Sequence, residues 1–166
     1  SITITIRPSL KALTAASTTE RSSTSMLQGK LEPDGTNFHV ATDYIPTTTT
    51  GVSAQDRVNT LKAFSDISNK PEDFSKPGHM FPLCAKPNGL IERDGHTESA
   101  YDLCRLAGLE TVAAIAEMMT DEGDMMRLDE CKAFAKEHGI PLISTVMLKE
   151  YAVKCSDIYI NAPTTP

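Results

Sequence analysis

No apolar run in this sequence approaches the roughly 20 residues that a membrane-crossing helix needs, so no membrane span is expected. Cysteine is scarce and scattered. Cys84, Cys104, Cys131 and Cys155 stand about twenty or more residues apart, which leaves no Cys-x-x-Cys ligand pair and no disulfide-dense secreted framework. Four reduced thiols in a cytosolic or organelle-matrix protein, mitochondrial or plastid, is the plain expectation. Basic patches are missing too: 16 Lys and Arg are spread singly against 22 Asp and Glu, for a formal charge of -6. The resulting field repels polyanions, and no zinc-finger or basic-helix spacing offsets it, so nucleic acid is not an expected partner. No internal repeat is visible. The chain begins at Ser1 instead of Met, which suggests a processed precursor, such as one that has lost a transit peptide, or a trimmed chain.

What is present suits one domain: 166 residues can enclose a single core that buries roughly two thirds of the unfolded surface. Ser1–Ile6 alternates Ile with Ser or Thr, the period of a strand with one buried face, and Arg7-Pro8 should end it. Leu10–Ala16 suggests another short strand, and the Ser/Thr-rich stretch Ser17–Ser25 a surface loop. Phe38–Tyr44 predicts a strand. Ser53 is placed to cap a helix running to Phe64, with Val58, Leu61 and Phe64 on one face. Ser68–Pro77, polar and with two prolines, predicts a loop. A helix from Thr97 would turn Ala100, Leu103, Cys104 and Ala107 inward and stop at Gly108. Thr111–Met119 predicts a buried strand, Asp121–Asp124 a turn, and Leu128, Cys131, Phe134 and Ala135 a helix closed by Gly139. Pro141–Thr145 predicts a short strand before a last helix around Met147–Tyr151, and Ser156–Pro166 an extended tail. The order of elements predicts a mixed α/β layered domain.

Chemistry concentrates between Gly78 and Glu117. Glu117 stands in an apolar run, where an ionised carboxylate costs several kcal/mol unless a cation, metal or donor set meets it. It is either a general acid or base tuned by partial burial, or a strand-end carboxylate facing solvent near the Asp121 turn. Arg93, His96 and Thr97 sit at a helix entrance, where unpaired N–H groups and the dipole favour an anion such as phosphate. His96 could lend an imidazole nitrogen to a divalent metal, although a single His before a helix is more often a capping or surface residue. Glu98 reads as a first-turn acid suited to the dipole. His79 follows Pro77-Gly78, a rigid turn.

These blocks, in this order, resemble the 3,4-dihydroxy-2-butanone 4-phosphate synthase family. The similarity runs over roughly residues 35 to 152 through Gly35-Thr36, Thr49-Thr50-Gly51-Val52-Ser53-Ala54, Asp56-Arg57, Pro71-Glu72-Asp73-Phe74, Gly78-His79-Met80-Phe81-Pro82-Leu83 and Arg93-Asp94-Gly95-His96-Thr97. The resemblance implies conversion of ribulose 5-phosphate to 3,4-dihydroxy-2-butanone 4-phosphate and formate, a lyase step of riboflavin biosynthesis. It implies His79 and Glu117 as catalytic groups and Arg93, Asp94, Gly95, His96 and Thr97 as the sugar-phosphate site, with a hydroxyl from Thr50. His96 would also hold magnesium, and the family is homodimeric with active sites near the subunit interface.

The sequence departs from the family at its start. The acidic loop that supplies a phosphate-binding Arg, a second magnesium ligand and further carboxylates has no counterpart, because residues 1–34 hold only Glu20, Glu32 and Asp34 as acids. The family's His-Gly-Ser-Gly turn is replaced by Pro8-Ser9-Leu10, and its Arg after Phe-Pro-Leu by Cys84. The expected organisation is therefore a diverged segment 1–34, a synthase-like domain 35–152 lacking the family's N-terminal part, and a tail 153–166. One imidazole and water hold magnesium poorly, so this chain alone should bind it weakly. The vacated sheet edge invites a protein partner or a second copy. Three functions of different class follow: a synthase incomplete as a single chain, a catalytically inactive enzyme-derived structural subunit of a larger organellar complex, and a module that binds sugar phosphate without converting it.

Overall fold

The computed structural model describes residues 36–155 together with the backbone of strand residues 2–6. Five strands form a mixed sheet: β1 (Ile2–Ile6), β2 (Asn37–Phe38), β3 (Thr42–Tyr44), β4 (Phe74–Cys84) and β5 (Val112–Ala116). Among the described residues four helices accompany it: α1 (Ala54–Ser65), α2 (His96–Leu106), α3 (Leu128–His138) and α4 (Thr145–Lys154). The expected mixed α/β architecture is the one observed. The predicted elements at Leu10–Ala16, Ser17–Ser25 and Ser156–Pro166 lie outside the described residues.

The hub is β4. It pairs parallel with β1 and antiparallel with β2 and β3, and β1 in turn pairs antiparallel with β5 to give the order β2-β4-β1-β5. Its first half was expected to be loop on account of Pro71 and Pro77. Instead Pro71–Asp73 is a single 3-10 turn and the strand begins at Phe74, because Phe74 stacks on Phe64 at 5.1 Å and packs tilted against Tyr44 at 5.4 Å and so draws the chain onto the sheet. The second proline is accommodated in an irregularity. Thr42 pairs with Met80 while Asp43 pairs with Ser75, so residues 76–79 bulge out of register, with a cis Lys76–Pro77 peptide inside.

Phe38–Tyr44, expected as one strand, divides into β2 and β3, which bond to opposite halves of β4. Helix α1 is capped as expected, Ser53 Oγ accepting from the Asp56 amide at 3.1 Å. Its buried stripe is Asp56, Thr60 and Ala63, with Leu61 and Phe64 packing on Met80, while Val58 faces out. Polar residues sit inside here because each has work for its oxygens: Thr60 Oγ1 accepts the Tyr44 amide at 3.0 Å.

In α2 the buried residues are Thr97, Glu98, Ala100, Tyr101 and Asp102, so the predicted inward stripe is rotated, and Leu103 and Ala107 are exposed. Gly108 takes the left-handed conformation expected of it, as does Gly139 after α3. The strand expected over Thr111–Met119 is shorter, ending at Ala116. The chain leaves the sheet there because Met119 bridges Met125 across the Asp121–Asp124 turn. Pro141–Thr145 forms no strand; α4 starts at Thr145, capped by Ser144 Oγ, and runs past Tyr151 to Lys154, burying Leu148 and Ala152. No helix among the described residues is long and apolar enough to cross a membrane.

Candidate functional site

The Arg93–Thr97 segment joins the 3-10 turn Gly89–Ile91 to the start of α2, with Gly95 as N-cap. What shapes it is a buried carboxylate. Glu98 is 1% exposed and accepts the Lys86 amide on Oε1 at 3.0 Å and Arg93 Nη1 on Oε2 at 2.5 Å. The other arm of the guanidinium, Nη2, donates to Thr36 Oγ1 at 2.7 Å, tying the segment to the residues that lead into β2. Glu98 is therefore the anchor of the site loop, not merely an acid that suits the dipole. Both arms of the Arg93 guanidinium are thus engaged within the protein. Asp94 is exposed at the rim and accepts Lys149 Nζ at 2.8 Å.

A cavity of about 580 Å³ opens against this loop. Arg93, Asp94, Gly95, His96, Thr97 and Glu117 all line it, together with Thr36 and Ile115. Thr97 is buried and His96 exposed. Glu117 follows the last residue of β5 and is exposed, so the argument from burial in an apolar strand does not hold for it; it stands at the strand end, facing the cavity. Such a volume suits a small ligand, and the lining offers one guanidinium, one imidazole, the hydroxyls of Thr36 and Thr97 and the carboxylates of Asp94 and Glu117.

Thr50 and His79 do not line this cavity. His79 is four residues from Leu83 along β4, roughly 13 Å of extended chain. They form a second cluster around the β4 bulge. His79 Nδ1 lies 2.7 Å from Asp43 Oδ2, and the His79 amide donates to Asp43 Oδ1 at 3.0 Å. The Thr49–Gly51 loop closes over this pair and is held by Asp56, whose carboxylate accepts the amides of Thr49 at 3.0 Å, Thr50 at 3.2 Å and Gly51 at 3.0 Å, and the Thr49 hydroxyl at 3.0 Å. The Thr49 amide leads the bonds that hold the Asp56 carboxyl below its ordinary value of 3.8, against the opposing effect of burial.

Asp43, Glu98 and Thr36 were not singled out as site partners from sequence. Their signal was weak: Asp43 is one polar residue in a three-residue strand, and its partner is 36 positions away. Asp56 belonged to a recognised block but carried no predicted task. As for a metal, His96, Asp94 and Glu117 offer one imidazole and two carboxylates around the cavity. No three His, Cys, Asp or Glu side chains converge on a possible ion among the described residues. Magnesium asks for near-octahedral oxygen donors, so the described residues do not by themselves make its site.

Two stability measurements check this construction. Glu98→Ala strands Arg93 in a largely buried position and should lower the unfolding free energy by about 3 kcal/mol in denaturant titration; a change within 0.5 kcal/mol would show that the pair anchors nothing. Because folding lowers the Asp56 pKa, its contribution is fully present above the ordinary value and is lost as pH falls through the folded value. The stability gap between the native chain and Asp56→Asn should thus be constant near neutrality and narrow below about pH 4; a gap that does not depend on pH would contradict the assignment.

The family model for 3,4-dihydroxy-2-butanone 4-phosphate synthase matches residues 2–151. The synthase of that name from Saccharomyces cerevisiae is 49% identical over 122 residues, which cover 72% of this chain and 59% of the yeast protein. Among solved structures, the Candida albicans synthase superposes with a TM-score of 0.74 at 38% identity, covering 90% of this chain and 70% of that one. A synthase solved in complex with two magnesium ions gives a TM-score of 0.77 at 30% identity, covering 95% of this chain and 75% of its own. The chain spans about three fifths of the length of the Saccharomyces cerevisiae, Agrobacterium fabrum and Candida albicans synthases, and about a third of the longer Aquifex aeolicus relative. With a family match running through almost all of its residues and with fold and sequence agreeing, this chain belongs to the 3,4-dihydroxy-2-butanone 4-phosphate synthase family.

Proposed function

We propose that this chain supplies the phosphate-binding and proton-transfer half of a synthase that converts ribulose 5-phosphate to 3,4-dihydroxy-2-butanone 4-phosphate and formate in riboflavin biosynthesis. The observation that carries the reading is the shared cavity: Arg93, Gly95, His96, Thr97 and Glu117 come from three separate elements and face one space of substrate size.

The chemistry assigned to each group follows from its place. A phosphate would sit at the start of α2, where the helix dipole, the Thr97 hydroxyl and the Arg93 guanidinium favour an anion. That leaves the sugar carbons extending toward the end of β5. There the exposed Glu117 carboxylate can take a proton from a carbon next to the carbonyl, and the His96 imidazole can offer a nitrogen to a bound magnesium ion. Bound magnesium would polarise the carbonyl and stabilise enediolate oxygens. Its remaining oxygen ligands must come from outside the described residues, so no proton movement is assigned through it. His79 and Thr50, being on another face, are proposed to act on the cavity of a second copy, which would also cover exposed apolar residues such as Leu128, Val146 and Met147.

Those exposed residues equally suit a second reading, an enzyme-derived subunit kept for its surfaces. Formate release from ribulose 5-phosphate by the native assembly, in the presence of magnesium, decides between them. Turnover is expected, and Glu117→Gln should reduce it by about 10²–10⁴-fold without loss of fold. Formate released equally by the native chain and the variant would overturn the role of Glu117. Sugar phosphate bound without formate would establish a binding module, and neither binding nor turnover would establish the structural subunit.

A further inference from the structure

Asp43 is used by nothing in the reaction outlined above, yet its carboxylate is built onto His79 from two sides. Oδ1 accepts the His79 backbone N–H at 3.0 Å and Oδ2 faces ring Nδ1 at 2.7 Å. The carboxylate is withdrawn, its side chain 10% exposed, whereas the ring it holds is 46% exposed. The third side is closed by Gly51, at φ 78: a Cβ there would fall 2.6 Å from both Asp43 Cγ and His79 Nδ1. The β4 bulge brings His79 back to this point, and Gly78 lets it pass close to β3, since a Cβ at Gly78 would lie 2.6 Å from Thr42 Cα. Three backbone features thus converge on one side-chain contact.

An ionised carboxylate only accepts hydrogen bonds, so the ring atom it meets must carry a proton. We infer that Asp43 is a positioning residue for His79, fixing the neutral ring with its proton on Nδ1 and turning Nε2 outward as a bare acceptor or base. A buried carboxylate that orients an imidazole in this way sets which nitrogen can do chemistry. The inference deepens the proposed function and rests on it only where His79 is taken to act in catalysis; the tautomer itself does not depend on turnover.

Asp43→Asn separates positioning from mere support of the bulge. The amide oxygen can keep the bond from the His79 N–H, which leaves the amide NH2 against Nδ1. Nδ1 must then accept, and the ring proton moves to Nε2. In the full chain with 15N-labelled histidine, at a pH where the ring is neutral, His79 should show a protonated Nδ1 and a bare Nε2, exchanged in Asp43→Asn. In the formate assay kcat should fall by about 10²–10⁴-fold with KM little changed, and Asp43→Asn should cost nothing further in a His79→Gln background. A native His79 protonated on Nε2, an unchanged tautomer in Asp43→Asn, or an equal loss of rate in the His79→Gln background would overturn the inference. A tautomer that exchanges in a chain releasing no formate upholds the positioning and counts against the synthase reading instead.

Discussion

The Glu98 carboxylate has almost no water to face, and its demand for donors organises the rest of the site. A buried ionised acid is tolerated only when its oxygens are met by charge and hydrogen bonds. Here the Lys86 amide and Arg93 meet them, and Arg93 in turn reaches Thr36. Three stretches distant in sequence are thereby fixed around the start of α2. The loop that carries His96 and Thr97 inherits its shape from that pair, and the cavity exists because the loop stands away from the end of β5.

The long strand β4 sets the second constraint. Its C-terminal half pairs with β2 and contributes Leu83 to the cavity, while its N-terminal half pairs with β3 and, through the bulge, delivers His79 to Asp43. One strand thus carries two separate polar clusters, with His79 four residues from the cavity-lining Leu83. Each cluster is held by a buried acid, Glu98 in one and Asp43 in the other, and Asp56 locks the loop over the second. His96, Glu117 and His79 are exposed, and His79 is held directly by its buried acid. That arrangement keeps reactive groups accessible while their supports are kept dry, which is how fixed geometry is obtained at a surface cavity.

Local signals made the helices legible from sequence. Ser53 capped α1, Gly139 closed α3, and Gly108 ended α2 as its φ preference demands. The faces were less legible, because α1 and α2 bury Asp56, Thr60, Glu98 and Asp102, and a rule that turns apolar residues inward places such residues outside. Pro77 concealed the first half of β4, since a proline argues against a strand unless a bulge absorbs it. The Arg93–Thr97 block and Glu117, candidates in the sequence, line one cavity, but Glu117 was expected in a buried strand and stands exposed at its end. The partners that hold the two clusters, Thr36 and Asp43, depend on contacts 57 and 36 residues away and leave no local pattern to find.

The function proposed for this chain requires that the cavity at the start of α2 be where a sugar phosphate is held. Amide chemical-shift mapping during titration with ribulose 5-phosphate tests this most directly. Progressive shifts at Gly95, His96 and Thr97 and at Glu117, with competition by inorganic phosphate at the first three, are the predicted result. Shifts confined to other surfaces, or none at concentrations that saturate family enzymes, would contradict it.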